Sequence, residues 1–473
     1  MSRMTLRADL AVIGAGSGGL SVAAGAAQLG LKVVLFERGE MGGDCLNYGC
    51  VPSKALIAAA HAAHCMRTGG RLGVSAGEVH VDFAKVMAHV HGAIAAIAPH
   101  DSQERFEGLG VTVIREQARF LDDRTIANRS LAVRAKRIVV ASGSRAFIPP
   151  IPGLADLPYL TNEMIFDLPE LPRRLLVIGG GPIGVELGQA FRRLGSDVTI
   201  ISQGELLSHE DRDAAAMLVE QLHADGIELL PHHKLLTAAP GPVLTVEGEG
   251  GARNIEGSHL LVATGRVPSI GDLDLEKAGI RFDDKGICTD RKLLSSNRRV
   301  YAVGDAAGRG QFTHLAGAHA GLVIRNALFR MPVDAGKLVV PRVTYSDPEV
   351  AAVGLSEAEA RERHGGGIRV ERFNFADNDR ATAEGDRRGF GKVIAGSDGR
   401  ILGAVIVGAG AGDIIHQWVL AMSAGLKLSK LTSMIAPYPT RGELPKRLAG
   451  QYYTPALFSP RTRRLVSLLN RLP

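Results

Sequence analysis

Two cysteines five positions apart are the residues of this sequence best suited to chemistry. Cys45 and Cys50 lie in the segment GGDCLNYGCVPSK. Two thiols this close can form and break a disulfide and so carry two electrons. We expect a helix to begin near this pair, and the positive end of a helix stabilises a thiolate. Lys54 would then lie one turn beyond Cys50 on the same face.

The alternative interpretations of the pair are a chance spacing or half of a zinc site. No Cys/His pair follows at metal-ligand spacing, so a redox pair is favoured and no metal site is predicted. The chain has 473 residues and only four cysteines, which excludes a disulfide-stapled secreted scaffold. The other two, Cys65 and Cys288, are expected to be ordinary buried small side chains.

The elements that position this pair begin with a glycine-rich nucleotide motif. The order is a strand at Asp9–Ile13, the motif GAGSGG, a helix at Leu20–Leu29, and a strand at Leu31–Phe36. Gly14, Gly16 and Gly19 would permit a tight turn, approach of a pyrophosphate and close helix packing. Glu37 follows the second strand, where a carboxylate can accept hydrogen bonds from ribose hydroxyls.

The same pattern returns later in the chain. A strand at Arg174–Ile178 leads to GGGPIG, a helix through Phe191 and a strand at Asp197–Ile201. Two such units predict two bound nucleotides and electron transfer between them. Ser202 stands 23 residues after Gly179, as Glu37 stands 23 after Gly14. Without an acid there, NADPH is favoured over NADH, although Gln203 is not the arginine expected to bind a 2′-phosphate.

At this point the sequence resembles a known family. GAGSGG, GGDCLNYGCVPSK, GGGPIGVE, ATGRVP and YAVGDAA are, in order, hallmarks of the FAD-dependent pyridine nucleotide-disulfide oxidoreductases. That family includes dihydrolipoamide dehydrogenase, glutathione reductase and mercuric reductase, and the resemblance covers nearly the whole chain. It implies an α/β fold of two Rossmann-like domains, for FAD and NAD(P), with a C-terminal α+β dimerisation domain.

The resemblance also implies domain boundaries, which agree with the roughly three domains expected from the length. The FAD domain would span residues 1–150 and resume at 267–338, the NAD(P) domain would span 151–266, and the dimerisation domain 339–473. Residues implied in FAD binding are Gly14, Gly16, Gly19, Glu37, Gly143 and Asp305. Residues implied in NAD(P)H binding are Gly179, Gly181, Gly184, Ser202 and Gly265.

Roles in catalysis are likewise implied by the resemblance. Cys50 would be the thiol that touches the flavin, and Cys45 the exposed thiol that attacks the substrate. Lys54 would pair with Glu186 near flavin N5, where a cation stabilises the reduced ring. An ordinary surface ion pair is the alternative for Lys54 and Glu186.

The sequence departs from this family at one position of the C-terminal part. Thiol-handling relatives carry His-Pro-Thr…Glu there, whose histidine is the acid/base. Here the segment reads APYPTRGE, so Tyr438 takes the place of the histidine while Glu443 is kept. A phenol titrates near pH 10 and an imidazole near pH 6.5, so Tyr438 would donate a hydrogen bond, sit beside a metal-bound thiolate, or only pack. His314 and His319 are further candidates, although lone histidines are more often structural.

The tail SPRTRRLVSLLNRLP lacks the cysteine pair with which mercuric reductases deliver their metal. Arg461, Arg463, Arg464 and Arg471 surround apolar residues there, which predicts either a helix touching an anionic membrane or a basic solvated helix. The formal charge of +6 is small for this length, so nucleic-acid binding is not expected. No segment offers the run of apolar residues of a membrane span, and the cytoplasm is the expected location.

Three functions stay open on these grounds. The first is a homodimeric FAD enzyme that passes electrons from NAD(P)H through Cys45 and Cys50 to a metal ion, a quinone or a disulfide. The second is a dihydrolipoamide dehydrogenase that works with another base. The third is a flavin redox sensor or a membrane-surface binding protein of low turnover.

Overall fold

The computed structural model describes residues 4–472, which form two compact units. The first unit contains the residues through Cys65, Glu78–Gly204 and Ile227–Leu338, and the second contains Met66–Gly77, Glu205–Gly226 and the residues from Val339. Each unit is therefore assembled from separate stretches of chain. The four predicted domain segments divide the chain more finely and stay a prediction.

Most of the strands belong to the first unit. In chain order they are β1 (Met4–Ile13), β2 (Val33–Phe36), β3 (Val111–Ile114), β4 (Arg119–Phe120), β5 (Thr125–Ala127), β6 (Leu131–Val140), β7 (Ser144–Ala146), β8 (Arg174–Ile178), β9 (Asp197–Ile201), β10 (Glu228–Leu230), β11 (Lys234–Ala239), β12 (Val243–Gly248), β13 (Gly251–Glu256), β14 (His259–Val262), β15 (Arg266–Pro268), β16 (Phe282–Asp283), β17 (Gly286–Ile287) and β18 (Val300–Ala302). The second unit holds β19 (Pro341–Thr344), β20 (Glu349–Gly354), β21 (Ile368–Asn374), β22 (Phe390–Gly396) and β23 (Ile401–Gly408).

The α-helices are distributed between both units. In chain order they are α1 (Ser17–Gln28), α2 (Gly43–Asn47), α3 (Cys50–Thr68), α4 (Phe83–Ile97), α5 (Gln103–Gly108), α6 (Pro182–Leu194), α7 (Arg212–Ala224), α8 (Thr313–Ala327), α9 (Glu357–His364), α10 (Asp379–Ala383), α11 (Ala411–Ser423), α12 (Leu428–Thr432), α13 (Leu444–Leu457) and α14 (Pro460–Leu469). Within the described residues, no helix combines the length and the apolar character needed to cross a membrane.

The first sheet of the first unit has a parallel core in the order β3-β2-β1-β6, and β18 also pairs with β6 in parallel. β4 and β5 extend it in antiparallel fashion. Leu10 and Val12 of β1 enter a cluster that includes residues of α1 and α8, while Ala11 and Ile13 enter the cluster on the other face. A strand buried on both faces reads as an apolar run, as the sequence predicted.

The second sheet repeats this architecture in the order β10-β9-β8-β14, and all of its pairs are parallel. An antiparallel meander of β11, β12 and β13 follows. The predicted strands Arg174–Ile178 and Asp197–Ile201 coincide with β8 and β9. Both glycine motifs therefore occupy the turn between a buried parallel strand and a helix.

The second unit is built on the antiparallel sheet β19-β20-β23-β22-β21. Trp418, the single tryptophan, lies on α11 and is fully buried in the core of this unit with residues of β20, β22 and β23. The parallel sheets of the first unit and the antiparallel sheet of the second confirm the predicted α/β class with an α+β C-terminal part.

Candidate active site

The first glycine of each motif has a conformation that only glycine adopts without strain. Gly14 has φ +103° and Gly179 has φ +123°. A Cβ would lie 2.3 Å from the Ala141 carbonyl oxygen at the first position and 2.2 Å from the Ala263 oxygen at the second. The next strand of each sheet therefore passes too close for any side chain.

The third glycine of each motif packs against the first. A Cβ on Gly19 would lie 1.9 Å from the oxygen of Gly14, and one on Gly184 would lie 2.1 Å from the oxygen of Gly179. In both motifs these contacts bring the N-terminus of the helix against the end of the preceding strand. The two turns thus have the geometry that places a pyrophosphate at a helix N-terminus.

The first motif opens into a cleft whose lining fits FAD. Gly16, Glu37, Ser142 and Gly143 line it. A Cβ would meet no atom within 4 Å at Gly143, and at Gly16 only the Cα of Gly43, at 4.0 Å. The Ser142 Oγ is buried, with no hydrogen-bond partner in the described part of the chain. Open backbone and an unsatisfied hydroxyl suit the polar phosphate and ribose groups of this cofactor.

Glu37 lies directly after β2 and reaches back over the glycine turn. Its Oε2 accepts a hydrogen bond of 2.6 Å from the amide of Ala15, and its Oε1 accepts one of 2.7 Å from the amide of Gly39. The carboxylate is thereby fixed at the cleft. Its role toward the ribose stays a prediction, as do those of the other cofactor residues.

The second motif also offers open backbone. At Gly181 and Gly265 a Cβ would meet no atom within 4 Å. Ser202 follows β9 directly, is half-buried, and donates its amide to the carbonyl of Leu230 at 3.0 Å. The position that carries Glu37 after the first motif therefore carries a small neutral residue after the second, so no carboxylate stands there to repel a 2′-phosphate.

The cysteine pair lies on two consecutive helices of the first unit. Cys45 belongs to α2, and Cys50 is the first residue of the 19-residue helix α3. Both are free thiols in this structure. The Sγ of Cys50 lies 3.4 Å from the Oγ1 of Thr313 at the start of α8. Sequence reasoning missed Thr313, because 263 residues separate it from Cys50.

The two thiols are electrostatically unequal. A hydrogen bond with Cys45 is the largest cause that lowers the pKa of Cys50, to about 6, and the Thr313 hydroxyl and the Lys54 charge add to it. The same hydrogen bond raises the pKa of Cys45. These opposite shifts favour the thiolate at Cys50 and the proton on Cys45.

Lys54 and Glu186 form an ion pair within the first unit, with Nζ 2.8 Å from Oε2. Glu186 is only 7 % exposed, so the surface-pair alternative does not describe it. Removing one partner of such a pair leaves an uncompensated buried charge. When FAD is bound, it supplies hydride acceptance and two-electron transfer to the cysteine pair; the role of this ion pair beside it stays a prediction.

A polar network that sequence reasoning missed connects the cysteine loop to Asp305. Arg266 lies 3.1 Å from the carboxylate of Asp44, the neighbour of Cys45, and donates to the hydroxyl of Ser144 at 2.8 Å. Ser144 in turn donates to Asp305 at 2.5 Å. Burial raises the pKa of Asp305. The signal was available, because Arg266 follows Gly265 within the ATGRVP motif.

Three other predictions concern residues outside this network. His319 is buried, its Nδ1 accepts the amide of Gly304 at 3.2 Å, and burial lowers its pKa to about 4, so it is a neutral structural residue. His314 is exposed and stacks on Phe312. The expectation that Cys65 and Cys288 are buried is wrong, since both are exposed. Small size alone does not bury a cysteine at a helix surface or a turn.

Tyr438 and Glu443 belong to the second unit, and the structure does not join them. Tyr438 is 69 % exposed and its hydroxyl donates to Oδ2 of Asp379 at 2.8 Å. Glu443 is buried, accepts from Asn378 at 3.2 Å and pairs with Arg447 at 3.3 Å. The hydrogen bond to Asp379 is the largest cause that raises the pKa of Tyr438. The residue at the histidine position is thus a neutral donor.

Comparisons with known proteins agree with this geometry. The family model described as "Pyridine nucleotide-disulphide oxidoreductase" matches residues 8–320, and the dimerisation-domain model of the same family matches residues 340–449. Mercuric reductase from Staphylococcus aureus is 33% identical over 441 residues, which are 92% of this chain and 80% of that protein. Dihydrolipoyl dehydrogenase from Geobacillus stearothermophilus is 34% identical over 449 residues, 93% of this chain and 95% of that protein.

A solved structure of a flavoprotein disulfide reductase is also similar to this chain in its fold. The Cu(II) complex of the HOCl-induced flavoprotein disulfide reductase RclA from Escherichia coli superposes with a TM-score of 0.83 at 27% identity, covering 93% of this chain and 99% of that chain. Homologues of this kind use FAD and NAD(P)H and assemble through their dimerisation domain as homodimers. The chain therefore belongs to the FAD-dependent pyridine nucleotide-disulfide oxidoreductases and is an enzyme of that class.

Proposed function

We propose that this enzyme passes electrons from NADPH, through FAD and the Cys45–Cys50 disulfide, to a thiophilic metal ion such as Hg(II) or Cu(II). The observation that carries the proposal is the state of Tyr438. Its hydroxyl donates to Asp379, and its pKa lies above the ordinary value for tyrosine. At neutral pH such a phenol is protonated and uncharged, so it cannot serve as the base that accepts a proton.

Exchange with a dithiol or disulfide substrate requires proton transfer at every turnover. A thiol must lose its proton before it attacks, and the departing thiolate must gain one. The group that does this needs a pKa near the working pH, as an imidazole has. Reduction of a metal ion held by thiolates needs no such group, so an acceptor of this kind is compatible with Tyr438.

The cysteine pair suits a soft metal ion. Thiolates are the preferred ligands of such ions, and Cys50 is a thiolate above about pH 6. One NADPH supplies a hydride, and therefore two electrons, and is released as NADP⁺. These electrons reduce one Hg(II) to Hg(0) or two Cu(II) to Cu(I), with one proton released. Cys45 keeps its proton until a metal ion displaces it, which couples binding to deprotonation.

The relatives support this choice without deciding it. A mercuric reductase and a reductase whose solved structure is a Cu(II) complex are among the similar proteins, but a dihydrolipoyl dehydrogenase has about the same identity as the mercuric reductase. The difference at Tyr438 is what favours the metal-ion acceptor over the dihydrolipoamide alternative. Ser202 favours NADPH over NADH, since a carboxylate there would repel a 2′-phosphate.

An acceptor screen tests the proposal. The FAD-loaded enzyme is given NADPH or NADH with mercuric ion as its thiol complex, cupric ion, lipoamide, glutathione disulfide or a quinone. We expect oxidation of NADPH to be fastest with a metal ion. The Cys45→Ser variant should lose this activity, and the exposed Cys65→Ser should keep it. Faster turnover of lipoamide, or undiminished metal turnover in Cys45→Ser, would refute the proposal.

A further inference from the structure

Helix α14 presents a row of leucines that no part of the described chain covers. Leu465, Leu468 and Leu469 follow the i, i+3, i+4 spacing and so share one face of the helix, and Leu472 lies three residues beyond its end. Their exposed fractions lie between 52 % and 64 %. The three exposed leucines on one helix face form an apolar patch of the kind that marks an interaction surface.

The opposite side of α14 is turned toward the end of α13. Arg463, Val466, Ser467 and Asn470 line the cleft between the two helices. A helix that packs on its own domain normally buries its apolar face and exposes its polar face. Within α14 the cleft is lined by polar residues and by one apolar residue, Val466, and no residue of the helix is buried, so the leucine face does not pack on its own domain.

The helix is formed before any partner arrives. Ser459 caps its N-terminus by accepting from the amide of Thr462 at 3.3 Å, and the hydroxyl of Thr462 donates to the carbonyl of Ala456 at 2.9 Å. Such caps typically contribute about 1 kcal/mol to the stability of a helix. Binding through the leucine face therefore carries no cost of helix formation.

The charge of the chain is concentrated in this region. Residues 444–473 contain five arginines and one lysine and no acidic residue. The whole chain has 55 basic and 49 acidic residues, so the rest carries 49 of each and is neutral. Arg461 and Arg464 lie one helical turn before Leu465 and Leu468. Cationic side chains therefore border the leucine face where the phosphates of an anionic surface would lie.

We propose that the leucine face of α14 binds the surface of a membrane that contains anionic lipid. The leucines enter the interface between headgroups and acyl chains, and the arginines contact lipid phosphates. A second copy of the same helix is a poorer occupant, because it would bring the arginines of both copies together. The family's dimerisation domain also ends at residue 449, before α14 begins. Nucleic acid would leave the leucines in water.

Vesicle co-sedimentation of the FAD-loaded protein tests this surface. We expect binding to vesicles of mixed phosphatidylcholine and phosphatidylglycerol, weak binding to phosphatidylcholine alone, and loss of binding as salt rises. The double variant Leu465→Ser/Leu469→Ser should lower partitioning at least about tenfold, because each leucine contributes through apolar burial. Each arginine replaced by glutamine should lower it roughly fivefold.

The matched control is Leu29→Ser, which changes a leucine of similar exposure, 50 %, at the end of α1. It should bind vesicles as the wild type does, and all variants should retain FAD and NADPH oxidation. Absence of binding to anionic vesicles at low salt would overturn the proposal, as would undiminished binding of the double serine variant. A lower oligomeric mass of that variant would also overturn it, by assigning the leucine face to a second copy.

Discussion

The surroundings of Cys50 and of Tyr438 shift the pKa of these two side chains in opposite directions. At Cys50 a hydrogen bond from Cys45, the Thr313 hydroxyl and the charge of Lys54 all favour the anion, and the pKa falls to about 6. At Tyr438 an anionic acceptor, Asp379, favours the neutral phenol, and the pKa rises. One site is built to carry negative charge at neutral pH, and the other to avoid it.

This contrast separates two jobs that a disulfide oxidoreductase performs. Reduction of the disulfide produces thiols, and the surroundings of Cys50 in the first unit stabilise its thiolate form. Proton exchange with an outgoing thiol needs a group that titrates near neutral pH, and Tyr438 does not. In the proposed function, the cysteine pair receives the electrons, while Tyr438 stands where thiol-handling relatives carry the histidine that exchanges protons. Substitutions in the cysteine pair, which carries the electrons, should therefore have larger effects than substitutions at Tyr438.

Replacing Cys50 should have the largest effect. In Cys50→Ser the disulfide cannot form, and we expect NADPH-driven turnover of the acceptor to fall at least about a thousandfold, since loss of a reacting group commonly costs that much. The long-wavelength absorbance of a thiolate beside the flavin should also vanish in an anaerobic NADPH titration. Cys65→Ser is the matched control. If Cys50→Ser kept both signals, Cys50 would not be the electron-carrying thiolate.

Restoring a base at position 438 should have the next largest effect. In Tyr438→His we expect turnover of lipoamide to rise about a hundredfold, which is what a positioned acid/base typically contributes. Metal-ion turnover should change little, because the metal ion itself displaces the thiol proton and no acid/base group is needed at position 438. Tyr438→Phe is the control, since it removes the hydroxyl without adding a base and should not gain lipoamide activity. An equal gain in both variants would show that space, not proton transfer, limits that reaction.

The pH dependence of the reduced enzyme's absorbance should report the titration of the Cys50 thiol and not that of Tyr438. Because the pKa of Cys50 is lowered to about 6, the thiolate predominates above that pH, and its fraction falls roughly tenfold per pH unit below it. The long-wavelength absorbance of the reduced holoenzyme should follow this curve. Thr313→Val removes a hydrogen bond that favours the thiolate and should move the midpoint to higher pH. A midpoint that stays in place would show that Thr313 does not stabilise the thiolate.

The sequence predicted those features that depend on local pattern. β8 and β9 coincide with their predictions because a strand buried on both faces is an unbroken apolar run. β1 begins at Met4 and not at Asp9, since its first residues are exposed and lack that pattern. The glycine turns could also be predicted from the sequence, because at the first glycine of each motif the backbone after the neighbouring strand lies too close for a side chain.

The features that escaped prediction depend on contacts between distant segments. Thr313 reaches Cys50 across 263 residues, and Asp379 reaches Tyr438 across 59. No periodicity or spacing in one sequence encodes such a pair. The family motif did point to Tyr438, but Asp379, the partner that favours its protonated form, lies on α10. The pKa values at the candidate site thus depend on residues outside its motifs as well as on those within them.

The smallest expected effect concerns that partner. Asp379→Asn removes the anionic acceptor that stabilises the protonated phenol, so the pKa of Tyr438 should fall toward the ordinary tyrosine value. Ultraviolet difference titration against Tyr438→Phe would isolate this phenol from the other tyrosines. Asp377→Asn, an exposed neighbour, is the matched control and should leave the titration unchanged. Because even the ordinary value lies near pH 10, metal-ion turnover at neutral pH should stay within about twofold of wild type. A large loss of turnover in Asp379→Asn would mean that the orientation of the tyrosine, and not only its protonation, matters to the acceptor.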